Sequence, residues 1–500
     1  MPKFVFLWTD IFIFCLLLAV LLYALKARRS TALRAAWASV AHTPSAMCSA
    51  VALSLFVLIG VLDSVHYRPV LPAVNSAGHS VRAIVPVYAT APRSLLDDVL
   101  SLTRLVDPET TYSAPLAIRQ FTKESEVVNG KPVRDYPRLK YAGANLAHDA
   151  DRGADISRRL VWGLLAGVLG SAASALTLTL AGLKKGRPFK RAAAAWWRGE
   201  TRIPWRPMWI TLSIIMLVCA VVIALSTNYH VMGTDRTGND VLWQALKSIR
   251  TALVIGTLTT IAMLPPALAF GISAGYFKGR VDDVIQYIYT TLTSIPGVLL
   301  IAACVLMMQV YIDNNPGLFD TTAARADLRL FLLCLILGLT GWAGLCRLLR
   351  AETLKLRELE YVQAARAFGV GHWRIMRRHL LPNVMHIVLI TLVLEFSGLV
   401  LYEAVLSYLG IGVDPSMNSF GSMINSARFE MSRDPMIWWN LLTAFTFMLA
   451  LVLAANIFAD AVQDAFDPRT RKFRPSRAPA GLRAPLVIPG SSDAATKDPL

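Results

Sequence analysis

Long unbroken apolar runs dominate the chain, and strict alternation of apolar and polar residues is rare. A helix crossing the hydrocarbon core of a bilayer needs about 20 mostly apolar residues. Nine stretches meet that length, at residues 4–25, 46–64, 160–183, 208–226, 250–276, 284–311, 328–348, 384–409 and 436–459. The second is the weakest, being short and rich in Ala and Ser. The first has little positive charge ahead of it beyond Lys3. It is followed by Lys26, Arg28 and Arg29 and not by a small-residue cleavage site, so it reads as a retained span and not a signal peptide. The pattern predicts an all-α polytopic membrane protein.

The polar stretches between the runs divide by charge. Lys26, Arg28, Arg29 and Arg34 separate the first two runs without an acid. Lys184, Lys185, Arg187, Lys190, Arg191, Arg198, Arg202 and Arg206 separate the third and fourth, against Glu200 alone. The short FKGRVDD, the basic stretch 349–382 and a tail with Arg469, Arg471, Lys472, Arg474 and Arg477 follow the same alternation. Basic loops stay on the cytoplasmic side. Nine spans then put the N-terminus outside and the C-terminus in the cytoplasm. The outer segments are 65–158, 227–249, 312–327 and 410–435. The first of these mixes acids and bases and holds a strand-like VRAIVPVYA and a turn signal VNGKP. It reads as a small α+β unit or an irregular cap. The expected organisation is two N-terminal spans with a basic loop (1–64), an extracytoplasmic segment (65–158), and a third span with a basic linker (159–207). A transmembrane domain (208–469) and a Pro/Ala/Ser/Arg-rich disordered tail (470–500) complete it.

Composition agrees. Charged residues make up 17% of the chain against about 25% in soluble domains, which argues against a soluble enzyme and a disordered chain alike. The excess of 50 Lys+Arg over 33 Asp+Glu is accounted for by the inside loops, without nucleic acid. The cysteines (15, 48, 219, 304, 334 and 346) all lie in apolar surroundings without a CxxC pair, and read as small buried hydrophobes rather than disulfides or zinc ligands. P-loop, nucleophile-elbow and HExxH motifs are missing. His372, His379 and His386 are spaced by seven, but Pro382 is expected to interrupt their helix, and no Cys or carboxylate partners converge on them. No metal or cofactor site is expected in the chain.

One polar segment stands out. Residues 358–383 read ELEYVQAARAFGVGHWRIMRRHLLPN: a short helix, a turn supplied by Gly369 and Gly371, a second helix over 372–381, and Pro382 at the start of the next span. On composition alone this is equally an amphipathic hairpin attracted to anionic lipid. The order of residues is similar to the EAA loop of ABC importer permeases, with Gln363-Ala364-Ala365 ahead of Gly369 and Leu381-Pro382 closing it. Gln363 replaces the first acid of the triplet. MGTDRTGNDV (232–241) resembles the GTDxxGRD segment of dipeptide and oligopeptide permeases, with Asn239 where Arg is usual. LSYLGIGVDPSMNSFGSMI (406–424) resembles LSFLGLGVxPPxxSWG, with Phe420 for Trp, and ANIFADAVQDAFDPR (455–469) resembles the closing NLxGDxLRDxLDPR. The chain thus resembles the C-type permease subunit of the dipeptide/oligopeptide/nickel importer group over residues 230–469. Typical members begin shortly before the fourth span here, so three spans and the outer segment are additional to a six-helix core.

The resemblance implies a transmembrane permease subunit of an ATP-driven, binding-protein-dependent importer of di-/oligopeptides, in the cytoplasmic (inner) membrane of a bacterium. It implies a second homologous permease subunit, P-loop ATPase subunits that bind ATP and Mg, and an extracytoplasmic solute-binding protein. Contact with the ATPase is expected from Glu360, Gln363, Ala364, Ala365, Phe368, Gly369, Trp373, Leu381 and Pro382. Glu395 and Glu403 in the eighth run are candidates for the pathway, since ionisable groups in a membrane are costly. The alternative for both is structural: Glu395 bonded to a neighbouring helix, Glu403 partly solvated near the interface. Asp235 and Asp240 read as a polar turn. Pro265-Pro266 and Pro296-Gly297 are expected to break the helical ladder as hinges or kinks. Two other classes stay open: a receptor using residues 65–158, and an ion-coupled transporter, which requires carboxylates in several spans and an inverted repeat. Neither requirement stands out in the sequence.

Overall fold

The computed structural model describes residues 3–466, except 72, 75–79, 82–87, 129–130, 184–188, 200, 202 and 320. Among these, nine helical stretches are long and apolar enough to cross a membrane, and each overlaps one of the nine apolar runs. Strand β1 (Lys3–Val5) leads into α1 (Trp8–Arg29), followed by the short α2 (Thr31–His42) and by α3 (Pro44–Asp63). Pro44 sits in the first turn of α3, where its missing N–H is not needed.

The segment after α3 is an irregular cap with small β elements. It contains β2 (His66–Arg68), β3 (Ala73–Val74), β4 (Ser80–Val81), β5 (Arg93–Ser94), α4 (Leu95–Ser101) and the hairpin β6 (Glu124–Val128) and β7 (Lys131–Asp135). The N-terminal strand returns to this cap: β1 pairs antiparallel with β2 (Phe4 opposite Tyr67), and β2 with β5 (His66 opposite Ser94). The predicted VNGKP turn connects β6 and β7, whose register closes at Val128 opposite Lys131; Asn129 and Gly130 lie outside the described residues. Most of the strand-like 81–89 run also lies outside them. So does the tail from 467 on.

α5 (Arg152–Leu183) packs lengthwise on α7 (Trp205–Ser226), with α6 (Phe189–Trp197) at the turn between them. Glycines make this contact close. A Cβ on Gly163 would lie 2.8 Å from the Val221 Cα, and one on Gly167 2.8 Å from the Leu217 Cα. Small residues of this kind let two membrane helices touch backbone to backbone.

The centre of the bundle is α8 (Val241–Phe277), which contacts α3, α11, α12 and α15. Pro265 and Pro266 do not end it: the helix continues through both. The break falls instead at Ile295-Pro296, between α9 (Arg280–Ser294) and α10 (Gly297–Asn314). A residue before proline is pushed out of the helical region, and Ile295 is extended (φ −84°, ψ 133°). The expected sixth span at 284–311 is therefore two helices, and only α10 is apolar enough to cross. α11 (Thr322–Gly341) and α12 (Ala343–Arg357) form the next span with a joint at Trp342. Then come α13 (Glu360–Ala367), α14 (His372–Ile375), a π-helical turn (Met376–Leu380), α15 (Leu381–Tyr408), α16 (Phe420–Glu430) and α17 (Trp439–Phe466).

Two ends result. The cap end carries β1, the cap, the start of α8 and α16. The hairpin end carries α2, whose Trp37 ring lies 5.6 Å from that of Phe466, together with the last turns of α8 and α12 and the 358–383 segment. The cysteine expectation needs correcting. All six are free, but only Cys334 and Cys346 are buried and Cys15 is exposed, because α1 presents an apolar outer face.

Candidate functional site

The hairpin end is built on a buried apolar base. Val362 of α13 and Ile375 and Leu380 of the following turns are at most 2% exposed, and pack in one cluster with Tyr276, Leu345, Leu349 and Val384. Between α13 and α14 the chain reverses at Gly369, with φ +71°, a conformation costly for any residue with a Cβ. Gly369 N–H donates to the Arg366 carbonyl and Val370 N–H to the Ala365 carbonyl, so the last carbonyls of α13 are satisfied in a Schellman turn. Ala365 and Val370 also pack against the buried cluster. Side-chain ties fix the hairpin to its neighbours. Tyr276 Oη bonds His372 Nδ1 (2.9 Å), Arg357 donates to the Tyr276 carbonyl (2.6 Å), and Lys278 pairs with Glu358 (2.9 Å).

Its outward face is the reverse. Phe368 is 87% and Trp373 72% exposed, very high for aromatic side chains in a well-anchored element. Glu360, Gln363, Ala364 and Pro382 are exposed with them. Gln363, at the position where the resembled motif has an acid, donates to the Glu358 carbonyl (3.1 Å). Leu381 turns partly inward onto the cluster. Trp373 and Pro382 line a cavity of about 560 Å³ with Arg374, Arg377 and Arg378, and none of these arginines has a carboxylate partner among the described residues.

Contrary to expectation, Pro382 does not interrupt the helix between His379 and His386. The π turn 376–380 widens the ladder just before it, leaving Pro382 in the first turn of α15, where no donor is needed. The three histidines serve separate contacts: His372 with Tyr276, His379 against the Tyr361 ring (6.0 Å), and His386 with the Asn383 carbonyl.

Glu395 is exposed on α15 and makes no hydrogen bond or ion pair among the described residues. Glu403 is not solvated; it is 2% exposed. Its Oε1 accepts from Ser407 (2.7 Å) and from Ser419 (3.0 Å), the N-cap of α16, and it also receives the Gly421 N–H. It anchors the start of α16 to α15.

Sequence reasoning missed two charge clusters. In the first, the Arg250 guanidinium on α8 lies 2.5 Å from Asp10 of α1 and 3.4 Å from Asp327 of α11, with Thr9 Oγ1 at 2.6 Å. Asp10 also meets His66 (2.8 Å). Carboxylates therefore do lie in several spans, contrary to expectation, but these are paired with a cation. In the second, outside the spans, His230 bonds Asp240 (2.7 Å) on one side and Glu109 of the cap (3.4 Å) on the other. Asp240 also N-caps α8 through the Leu242 and Trp243 N–H groups. Glu109 receives the backbone N–H groups of Lys140, Tyr141 and Ala142. Burial alone would push His230 down; the bonds to Asp240 and Glu109 outweigh it and hold its pKa up at about 9. Burial pushes Glu109 up, and the His230 and backbone bonds bring it below its ordinary value.

Six long apolar helices over residues 205–466, with an anchored hairpin before the penultimate one, define this part of the chain as a polytopic membrane protein. Residues 267–472 match the family described as binding-protein-dependent transport system inner membrane component. The dipeptide transport system permease protein DppC of Bacillus subtilis is 30% identical over 243 residues, 49% of this chain and 70% of that protein. The oligopeptide transport system permease protein OppC of Haemophilus influenzae is 29% identical over 243 residues, 49% and 71% of the two chains. The peptidoglycan transport system permease protein YejE of Agrobacterium fabrum is 36% identical over 250 residues, 49% and 59%. The chain belongs to the family of binding-protein-dependent transport system inner membrane components.

Proposed function

We propose that this chain is the C-type permease subunit of an ATP-driven importer of di-/oligopeptides, coupled through residues 358–383 to a separate ATPase subunit. The observation that carries the coupling is the two-faced hairpin. Val362, Ile375 and Leu380 lock it to α8, α12 and α15, while Phe368 and Trp373 stand exposed, Trp373 beside three arginines that have no carboxylate partner among the described residues. A rigid exposed aromatic pair is what a partner's pocket takes as an anchor. Because the base of the hairpin is continuous with three spans, a displacement imposed on it moves the spans. ATP and Mg would be bound by the partner. The peptide substrate follows from the similarity to dipeptide and oligopeptide permeases.

A solute-binding protein would deliver peptide at the cap end, and a second homologous permease would complete the pathway. The orientation is the one the basic loops give, with the cap outside and hairpin and tail in the cytoplasm of a bacterium. The test is affinity purification of the chain in mild detergent. A second EAA-bearing permease and a P-loop ATPase are expected with the natural chain, and the ATPase is expected to be lost with Gly369→Asp. Retention of both ATPase and transport in Gly369→Asp would overturn the assignment.

A further inference from the structure

A cavity of about 460 Å³ opens at the cap end, a volume suited to a small-molecule ligand. It brings together segments far apart in the sequence: Tyr112 from the cap, Asp235 and Arg236 ahead of α8, Glu430 and Arg433 around the end of α16, and Asn440 at the start of α17. Its charged groups are balanced, two carboxylates and two guanidiniums.

The inner wall is rich in acceptors. Asn440 is 2% exposed; its Nδ2 donates to Glu430 Oε2 (3.1 Å), which fixes the amide orientation. The other amide atom, Asn440 Oδ1, is buried with no partner. A buried acceptor without a donor is costly, and its residue stands in the cavity wall beside Glu430. Glu430 itself is held in place by Tyr112 Oη (3.2 Å). Asp235 faces the same space, fixed by the Thr237 and Asn239 N–H groups (both 2.8 Å). A ligand donor with several hydrogens and a positive charge completes this wall. The cations are free in the complementary sense. Arg236 is exposed and has no carboxylate partner among the described residues, and Arg433 stacks over the Tyr112 ring (5.1 Å) without a carboxylate within 4.0 Å. Guanidinium groups left in this state match a carboxylate.

We propose that this cavity binds the free zwitterion of a short peptide. The ammonium is received by Asn440 Oδ1 with Glu430 and Asp235, and the terminal carboxylate by Arg236 and Arg433. The choice of a peptide rests on the importer reading above. The site would hold cargo at the mouth of the pathway, between delivery and passage. Tyr112 places one wall of it in the segment that precedes the family core, so the extension contributes to recognition.

The experiment uses the full chain in detergent, with its co-purifying subunits, and equilibrium dialysis against labelled Ala-Ala, N-acetyl-Ala-Ala and Ala-Ala-amide. Ala-Ala is expected to bind saturably, and blocking either terminus to weaken it about tenfold or more, as loss of a charge-assisted hydrogen bond does. Arg236→Gln, at an exposed position, is expected to weaken Ala-Ala but leave Ala-Ala-amide unchanged. Asn440→Leu is expected to weaken Ala-Ala and Ala-Ala-amide alike, and to spare N-acetyl-Ala-Ala. Absence of saturable Ala-Ala binding by a preparation that retains its ATPase would overturn the proposal and leave the importer reading standing. Equal binding of free and blocked peptides, or an Arg236→Gln effect that ignores the carboxylate, would also overturn it. Binding with the expected pattern by a chain that recruits no ATPase would sink the importer reading and leave the cavity assignment intact.

Discussion

Alkaline pH should detach the cap from the core through His230. The imidazolium lies between Asp240, which caps α8, and Glu109, which is held by three cap N–H groups. Its pKa rises from 6.5 to about 9 on assembly. A group whose pKa is higher in the folded protein stabilises it fully below the unfolded value and loses that contribution as pH rises through the folded one. The window is therefore pH 6.5 to about 9. The shift corresponds to about 3 kcal/mol at 1.36 kcal/mol per decade. Above about pH 9 the neutral ring donates one hydrogen and can satisfy only one of them. Nearby Tyr112 and Tyr229 do not interfere, since burial pushes both up to about 12.

The assay is amide hydrogen exchange of the detergent-solubilised chain between about pH 6 and 9.5, with rates corrected for base catalysis. Residues 105–122 and 228–241 are expected to lose up to about 3 kcal/mol of protection, while α12 and α15 stay unchanged. His230→Gln should start with a weaker cap and show a flat profile. A wild-type profile that is flat within about 0.5 kcal/mol, or an unaltered slope in His230→Gln, refutes the reasoning.

Gly369→Ala should cost about 1 kcal/mol from its positive φ alone, since an added methyl group would meet nothing within 4 Å, and should retain the ATPase; Gly369→Asp should lose it in co-purification at a similar melting temperature. Arg250→Ala leaves Asp10 and Asp327 buried without their cation and should destabilise the chain by about 3–5 kcal/mol, read as a drop in melting temperature in detergent. Gly167→Leu forces α5 off α7 at the Leu217 backbone and should cost about 1–3 kcal/mol, with loss of cysteine cross-linking between the two helices.

The spans were legible because bilayer thickness fixes a length that the sequence must meet with apolar residues, and no tertiary detail is needed to see it. Breaks within them were harder. Pro296 acts as expected because Ile295 can take the extended conformation that precedes a proline, whereas Pro265, Pro266 and Pro382 are absorbed, the last behind a π turn that no residue type announces. The inner charge cluster carried a signal that went unread: Asp10 stands within the first apolar run and Arg250 and Asp327 at the edges of others, and ionisable residues in a membrane require partners. The Glu109–His230 contact carried none, since the two are 121 residues apart and each looks like an ordinary polar loop residue.

Those two clusters bear on the part of the chain that the family does not explain. Asp10 lies on α1 and Glu109 in the cap, both ahead of residues 230–469, the stretch whose motifs resemble the importer permeases, while Arg250 and His230 lie near the start of that stretch. Each of these two carboxylates pairs with a buried cation from α8 or the loop before it. Gly238 seals the junction: its φ is +80°, and a Cβ there would collide with the Glu109 carbonyl oxygen. A loosely tethered accessory segment would not need buried ion pairs or a glycine-only contact. Removing residues 1–207 would leave Arg250 with Asp327 and His230 with Asp240, each without its second carboxylate. The N-terminal helices and the cap are therefore packed as one body with the helices that follow, and the cap rests on the N-terminus of α8, the helix that also supports the hairpin at its far end through Tyr276. One continuous helix joins the two surfaces, so whatever fixes or frees the cap acts on the same rigid element that the hairpin grips.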